Sequence, residues 1–204
     1  MSHYFSPDSA GLDDPRPLDV VLRGRPMRLT TDNGVFSSDR LDPGTTVLLQ
    51  QVPDPPVSGT FLDLGCGWGP LAIALAAAAP SARVLAVDVN PRALALTRHN
   101  ASAAGHRVQT STPEELLAAE PRLQVDLIWS NPPIRIGKQN LHRLLHTWLP
   151  RLTPEGAAYL VVNKNLGADS LQRWISAELG LDAERIASRN GFRVLALTPR
   201  LTAT

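Results

Sequence analysis

The sequence predicts an α/β protein built on a doubly wound, mainly parallel seven-stranded sheet with helices on both faces. Three observations carry that expectation. From residue 59 onward, short apolar runs alternate with helix-forming segments, the pattern of strand-helix-strand units. The first run, Thr60–Leu64, empties into Gly65-Cys66-Gly67-Trp68-Gly69, a turn of alternate glycines. The chain closes on two strand-like runs joined by Arg189-Asn190-Gly191, and Asn-Gly between such runs signals a hairpin, so one strand near the edge is antiparallel.

The elements follow in order. Leu18–Leu22 and Pro26–Thr30 read as a hairpin across Arg23-Gly24-Arg25. Asp42–Gln51 reads as a short helix with an Asp cap and Pro43 early. Pro53–Gly59 holds three prolines and a glycine and reads as a connector, which divides a 1–58 extension from a 59–204 domain. After Thr60–Leu64 comes a helix at Pro70–Ala79, then a strand at Arg83–Val87 ending at Asp88. A helix over Pro91–Ala104 begins on proline and is followed by Gly105, the expected asymmetry. Arg107–Gln109 is a brief strand, and Thr112-Pro113-Glu114-Glu115 is a capping box. Val125–Trp129 is a strand ending at Asn131-Pro132-Pro133. The helix from Lys138 to Leu149 carries Leu141, Leu144, Leu145, Trp148 and Leu149 on one face. Ala157–Val162 is a buried strand, Asp169–Leu179 a helix, and Arg185–Ser188 and Phe192–Leu197 form the closing hairpin.

Composition narrows the function classes. With 204 residues, 43% hydrophobic and 19% charged, the chain suits one medium globular domain. No run approaches the roughly 18 apolar residues of a membrane span, and the N-terminus lacks the pattern of a secretory signal. A single cysteine, Cys66, allows neither an internal disulfide nor a cysteine-based zinc site, so a reducing, cytoplasmic setting is expected. The net charge of +1 divides into −4 for residues 1–130 and +5 for residues 131–204. A basic C-terminal part is compatible with a polyanionic partner, although on charge alone a solvated surface is the better explanation.

In open parallel sheets, ligands bind beyond the carboxyl ends of the strands, which directs attention to the residues just after them. Around Asp63-Leu64-Gly65-Cys66-Gly67-Trp68-Gly69, the glycines let backbone approach a ligand closely, and the following helix start presents unpaired N–H groups. Pro70 breaks the dinucleotide spacing, which argues against a nicotinamide site. Asp88 stands where a carboxylate can accept from both hydroxyls of a ribose, because Asn90-Pro91 already fills the adjacent helix cap. In Asn131-Pro132-Pro133-Ile134 the prolines stiffen the turn, so that the Asn131 carboxamide oxygen and the Pro132 carbonyl can face one amino group. Two acceptors on an –NH2 pull its lone pair out of conjugation and aim it at an electrophile. His142 and His146 are four apart on a helix, but no third ligand accompanies them, and no metal site is expected.

Asp-x-Gly-x-Gly-x-Gly, a strand-end Asp88 and Asn-Pro-Pro together resemble a class I S-adenosylmethionine-dependent methyltransferase acting on an amine. Asn131-Pro132-Pro133-Ile134-Arg135-Ile136-Gly137-Lys138 resembles more narrowly the small bacterial relatives of the 16S ribosomal RNA guanine-N2 methyltransferases. So do His3-Tyr4-Phe5-Ser6, Thr31-Asp32-Asn33-Gly34-Val35-Phe36-Ser37 and Leu41-Asp42-Pro43-Gly44-Thr45, which extend the likeness over nearly the whole chain. The resemblance implies a strand order of 3-2-1-4-5-7-6 and S-adenosylmethionine held by Asp63, Gly65, Cys66, Gly67, Gly69, Asp88, Val89 and Asn131. It implies a ribosomal or other structured RNA substrate whose guanine amine is oriented by Asn131, Pro132 and Pro133. Many such enzymes follow Asn-Pro-Pro with an aromatic that stacks on the base. Ile134 stands there, so Phe36 is expected either to supply the π surface or to serve as a core residue tying the N-terminal segment to the domain. Ile134, Arg135, Lys138 and Lys164 are further candidate substrate contacts, the three cations being alternatively solvated surface charges. Alternatives are a protein glutamine N5-methyltransferase, an adenine N6-methyltransferase, and a non-catalytic module binding cofactor or RNA.

Overall fold

The computed structural model describes residues 13–133 and 136–200, and among these the expected elements assemble around a single large sheet. A hairpin of β1 (Arg16–Leu22) and β2 (Arg25–Thr31) precedes α1 (Pro43–Gln51). The main sheet then begins with β3 (Thr60–Leu64), α2 (Pro70–Ala78), β4 (Arg83–Val87), α3 (Pro91–Ala103) and β5 (Gln109–Ser111). It continues through α4 (Pro113–Ala119), β6 (Val125–Ser130), α5 (Lys138–Trp148), β7 (Leu152–Asn163), α6 (Ala168–Glu178), β8 (Leu181–Arg189) and β9 (Phe192–Pro199). The seven strands run β5-β4-β3-β6-β7-β9-β8. Pairing is parallel from β5 to β7 and antiparallel for β9 against β7 and β8. This is the order the resemblance implied, with the closing hairpin at the edge. No described helix is long and apolar enough to cross a membrane.

Strand residues alternate between two cores, as the period of two demands. Phe61, Leu127 and Trp129 face a cluster built with α1, α2, α3 and the β1–β2 hairpin. Leu62, Leu64 and Ile128 face the opposite cluster, with α4, α5 and α6. Both faces are covered, so the central strands are apolar throughout. The helix starts follow the local chemistry: Asn90 caps α3 by accepting from the Arg92 N–H (3.0 Å), and Thr112 and Glu115 close a reciprocal capping box on α4.

Three boundaries differ from the sequence expectation. β5 lies two residues later than Arg107–Gln109, because its register against Leu85–Val87 selects Gln109–Ser111. β7 starts at Leu152, well before Ala157; Pro154 and Gly156 disguise the run, and an irregularity opposite Val125 and Leu127 absorbs them. β8 reaches from Leu181 to Arg189 as an edge strand whose exposed polar residues hide its pattern.

The N-terminal segment is tied to this sheet by buried polar contacts. Asn100 on α3 is fully buried; its Oδ1 accepts from the Thr30 N–H (2.7 Å), while its Nδ2 donates to the carbonyls of Thr30 (2.8 Å) and Trp68 (2.9 Å). Arg23 donates to the Leu49 and Val52 carbonyls at the end of α1 and lies over the Trp129 ring. We expect Asn100→Ala to destabilise the fold by about 3 kcal/mol, since one buried and two half-buried backbone groups lose their partner. Urea unfolding measures the loss, and amide exchange should quicken at Thr30 before the sheet strands. A change below about 1 kcal/mol would overturn the assignment.

Candidate active site

The carboxyl ends of β3, β4, β6 and β7 converge on one cavity of about 480 Å³, a size that suits a small-molecule ligand. Its wall includes Gly65, Gly67, Asp88, Val89, Asn131, Pro132 and Pro133, together with Phe36, Asp42 and Phe192. Two hollows of similar size elsewhere, about 590 and 570 Å³, contain no residue from these strand ends.

The glycine turn is built for close approach. The N–H groups of Gly65 and Cys66 both donate to the Val87 carbonyl (2.9 and 3.0 Å), which folds the turn down over β4. Gly69 has a φ of 90°, and a Cβ there would fall 2.9 Å from the Thr97 side chain, so the position admits no side chain. Gly67, with a φ of 57°, faces open space: a Cβ would meet no protein atom within 4 Å. Its bare backbone lines the cavity, where a ligand could approach.

Asp88 lines the same wall. One carboxylate oxygen accepts from the Gly67 N–H (3.0 Å), the other from the Asn90 N–H (2.9 Å). Each oxygen keeps a lone pair for a further donor, which suits a pair of vicinal hydroxyls. Asp63, by contrast, lies beneath the turn and does not line the cavity. It is completely buried; one oxygen accepts from the Ala72 N–H (2.9 Å), and Oδ1 has no partner among the described residues. Burial, with some help from the nearby Asp88 charge, pushes its carboxyl up to about 8. Cys66 is also buried, its thiol pushed well up by burial, and its side chain accepts from the Thr97 hydroxyl (3.4 Å). It borders a narrow recess of about 30 Å³ beside the cavity, while Gly69 borders neither space.

Asn131 supplies the most directional group. Its Nδ2 donates to Asp42 Oδ1 (2.7 Å) and to Thr45 Oγ1 (3.1 Å). Both N–H groups are thereby used, and the carbonyl oxygen is left without a protein donor among the described residues. Pro132 behind it is buried and Pro133 exposed. Ser130, just before, donates to the Leu64 carbonyl (2.6 Å) and locks the ends of β6 and β3 together.

A strap over residues 32–40 crosses the rim and carries Phe36. It is pinned by bonds from Thr31 Oγ1 to the Ser38 carbonyl (2.6 Å), from the Trp68 indole to the Ser37 carbonyl (3.2 Å), and from Asn90 Nδ2 to the Gly34 carbonyl (3.0 Å). Phe36 is 63% exposed and lines the cavity, a rare position for a core aromatic. Lys138 and Lys164 are exposed and lie outside the cavity wall, and Ile134, Arg135 and the His3–Ser6 segment fall outside the described residues. His142 stacks on Trp174, ring centroids 3.6 Å apart, and among the described residues no cluster could hold a metal ion.

Wall residues not assigned to the site from sequence include Asp42, which reads as a helix cap within the Leu41–Thr45 likeness, together with Phe192 and Ile136. Asn163, at the end of a strand, is among the positions the strand-end rule singles out, and it lines the wall; Asp42 and Phe192 reach the site only through tertiary packing.

Comparison with known proteins fits this geometry. The family described as methyltransferase small domain matches residues 26–196. The Bacillus subtilis protein YbxB is 31% identical over 169 residues, 82% of this chain and 84% of that one. The ribosomal RNA small subunit methyltransferase C of Pseudomonas syringae is 32% identical over 194 residues, 93% of this chain and 56% of that one. The T. thermophilus 16S rRNA N2 G1207 methyltransferase, solved with AdoMet and guanosine, superimposes with a TM-score of 0.80 at 22% identity, over 92% of this chain and 51% of that one, and so shares the fold. The chain thus spans about half the length of these two ribosomal RNA methyltransferases.

The buried Asp63 gives a pH test. The folded chain keeps its carboxyl protonated up to about 8, whereas the unfolded chain releases that proton near 3.8. Its contribution to stability is therefore complete below about pH 4 and is lost as pH rises toward 8. We expect Asp63→Asn to remove that slope: the melting temperature should match the parent near pH 4 and exceed it at pH 8.5. Parallel curves across the range would contradict a buried, protonated Asp63.

Proposed function

This chain belongs to the methyltransferase small domain family, and we propose that it transfers a methyl group from S-adenosylmethionine to an exocyclic amine of RNA, most specifically guanine N2 in ribosomal RNA. One observation carries the reading. The Asn131 amide has both N–H groups engaged by α1, which leaves its oxygen as the acceptor at the wall of the strand-end cavity.

The chain's residues fit the cofactor. Gly65 and Gly67 offer backbone without side chains, the spare lone pairs of Asp88 suit ribose hydroxyls, and Val89 and Asn131 flank the same space. When bound, S-adenosylmethionine supplies an electrophilic methyl group. The protein's part is to prepare the nucleophile. The Asn131 oxygen and the Pro132 carbonyl accept from the two N–H groups of the amine, which turns its lone pair out of the ring system and toward the cavity. The prolines keep the turn from relaxing, since Pro132 restricts Asn131 to extended backbone. The surplus proton becomes strongly acidic once the nitrogen is alkylated, so water suffices to take it.

Phe36 on its pinned strap, with Phe192 across the wall, offers flat apolar surface for a base. Ile136, three residues beyond Pro133, adds apolar contact at the wall. Lys138 and Lys164 are proposed to meet RNA phosphates outside the cavity, where binding needs charge and no base recognition. The similarity to the P. syringae enzyme, whose name specifies ribosomal RNA, supports the substrate class.

Incubation with labelled S-adenosylmethionine and separate pools of undermethylated ribosomal RNA, tRNA and protein extract tests the reading. Label should appear as N2-methylguanosine in ribosomal RNA; label in glutamine or adenine, or cofactor binding with no transfer, would overturn it. Asn131→Ala should lower turnover by about 10²-fold or more while S-adenosylmethionine affinity changes only a few-fold. Phe36→Ala should weaken RNA binding by about tenfold, as expected for one lost stacking contact, and an unchanged KM would remove Phe36 from the site.

A further inference from the structure

The N-cap of α1 does a second job. Asp42 Oδ1 accepts from the Thr45 N–H (3.0 Å), which closes the first turn of the helix, and the same oxygen accepts from Asn131 Nδ2 (2.7 Å), 89 residues away. Thr45, three residues into the helix and 4% exposed, takes the second Asn131 N–H on its hydroxyl (3.1 Å). A carboxylate can only accept, so the Asn131 amide must turn its nitrogen toward Asp42 and its oxygen away. The amide's orientation, which decides whether Asn131 offers the cavity an acceptor or a donor, is therefore imposed by α1 rather than by the Asn-Pro-Pro turn itself.

From this contact we infer that Asp42 and Thr45 are positioning residues for transfer: they hold the Asn131 carboxamide with its oxygen presented to the substrate amine. The inference rests on the role proposed above for Asn131. A flipped amide would present an –NH2 to an –NH2, two donors facing each other, and the lone pair would stay conjugated with the ring. The arrangement also explains why a segment preceding the glycine turn packs where it does. The buried Val47, Leu48 and Leu49 seat α1 on the sheet, and their register sets the distance from Asp42 to Asn131.

The cap and the amide contact can be separated. Serine caps helices as well as aspartate does, but its hydroxyl is one atom shorter and reaches only the Thr45 N–H. Asp42→Ser should therefore keep the melting temperature within a few degrees and keep S-adenosylmethionine affinity. It should lower kcat by about 10²-fold, the loss expected for a misplaced reacting group, with little change in KM for the RNA pool that accepts label. Asp42→Asn keeps an oxygen in place for both donors and should restore most of that loss, and Thr45→Val should give an intermediate one. In a double-mutant cycle, Asp42→Ser should add nothing to Asn131→Ala. A readout independent of turnover is the Asn131 side-chain amide in the cofactor-free protein: its two N–H signals should be protected from exchange in the parent and in Asp42→Asn, and exposed in Asp42→Ser. Full turnover in Asp42→Ser, additive losses in the cycle, or unprotected Asn131 signals in the parent would each overturn the inference. Full turnover in Asn131→Ala would instead overturn the functional reading beneath it.

Discussion

Parallel pairing of β3 with β4 on one side and β6 on the other is the constraint on which the cavity depends. In that register Leu64 sits beside Val87, and Asp63 beside Trp129, so the turns that follow all three strands open at one edge. The Ser130 hydroxyl on the Leu64 carbonyl and the two N–H groups on the Val87 carbonyl then fix the edge at the level of single hydrogen bonds. A slip of one residue would exchange the two faces of a strand and send Phe61 and Trp129 into the wrong core. The burial that sets the fold is thus the same burial that sets the distance between the glycine turn, Asp88 and Asn131.

The edge is finished by a segment that precedes the sheet in the chain. The hairpin is anchored by Asn100 and Arg23, α1 by its apolar face, and the strap by hydrogen bonds at its start, middle and end. The polar anchors satisfy backbone groups that would otherwise be stranded, and α1 adds buried apolar area, which together explain why so short a segment holds its place. The groups that pin the strap come from β2, the start of α3 and the glycine turn itself. Phe36 is thereby held at the rim, 63% exposed.

Much of this was legible in the residues. Strand and helix alternation revealed the sheet, and the Asn-Gly hairpin its antiparallel edge. The spacing of Gly65, Gly67 and Gly69 marked a close-approach turn, and Asp88 and Asn131 could be placed beside it because strand ends share one edge. What stayed hidden was long-range. Asp42 reads as an N-cap because its local role fully explains it; its contact with Asn131 depends on how α1 lands on the sheet. Phe192 reads as a strand residue because nothing nearby shows that its strand begins at the cavity. The family resemblance groups Asp63 with the turn, yet alternation along β3 sends its side chain into the core on the Phe61 side, under α2. The polar edges of β7 and β8 were missed for a related reason: pairing with a neighbour outweighs the weak strand signal of their own residues.

The charges at the wall favour one type of chemistry over others. Among the described wall residues the ionisable side chains are Asp42 and Asp88, and both carboxylates are already engaged by N–H donors. The described wall thus carries two carboxylates, a charge that suits a sulfonium. It also holds no group placed as a strong base. The amine nucleophile proposed above needs only to have its lone pair freed from conjugation. Orientation by neutral acceptors is then the main contribution the protein can make, and its effectiveness depends on an amide that cannot turn over.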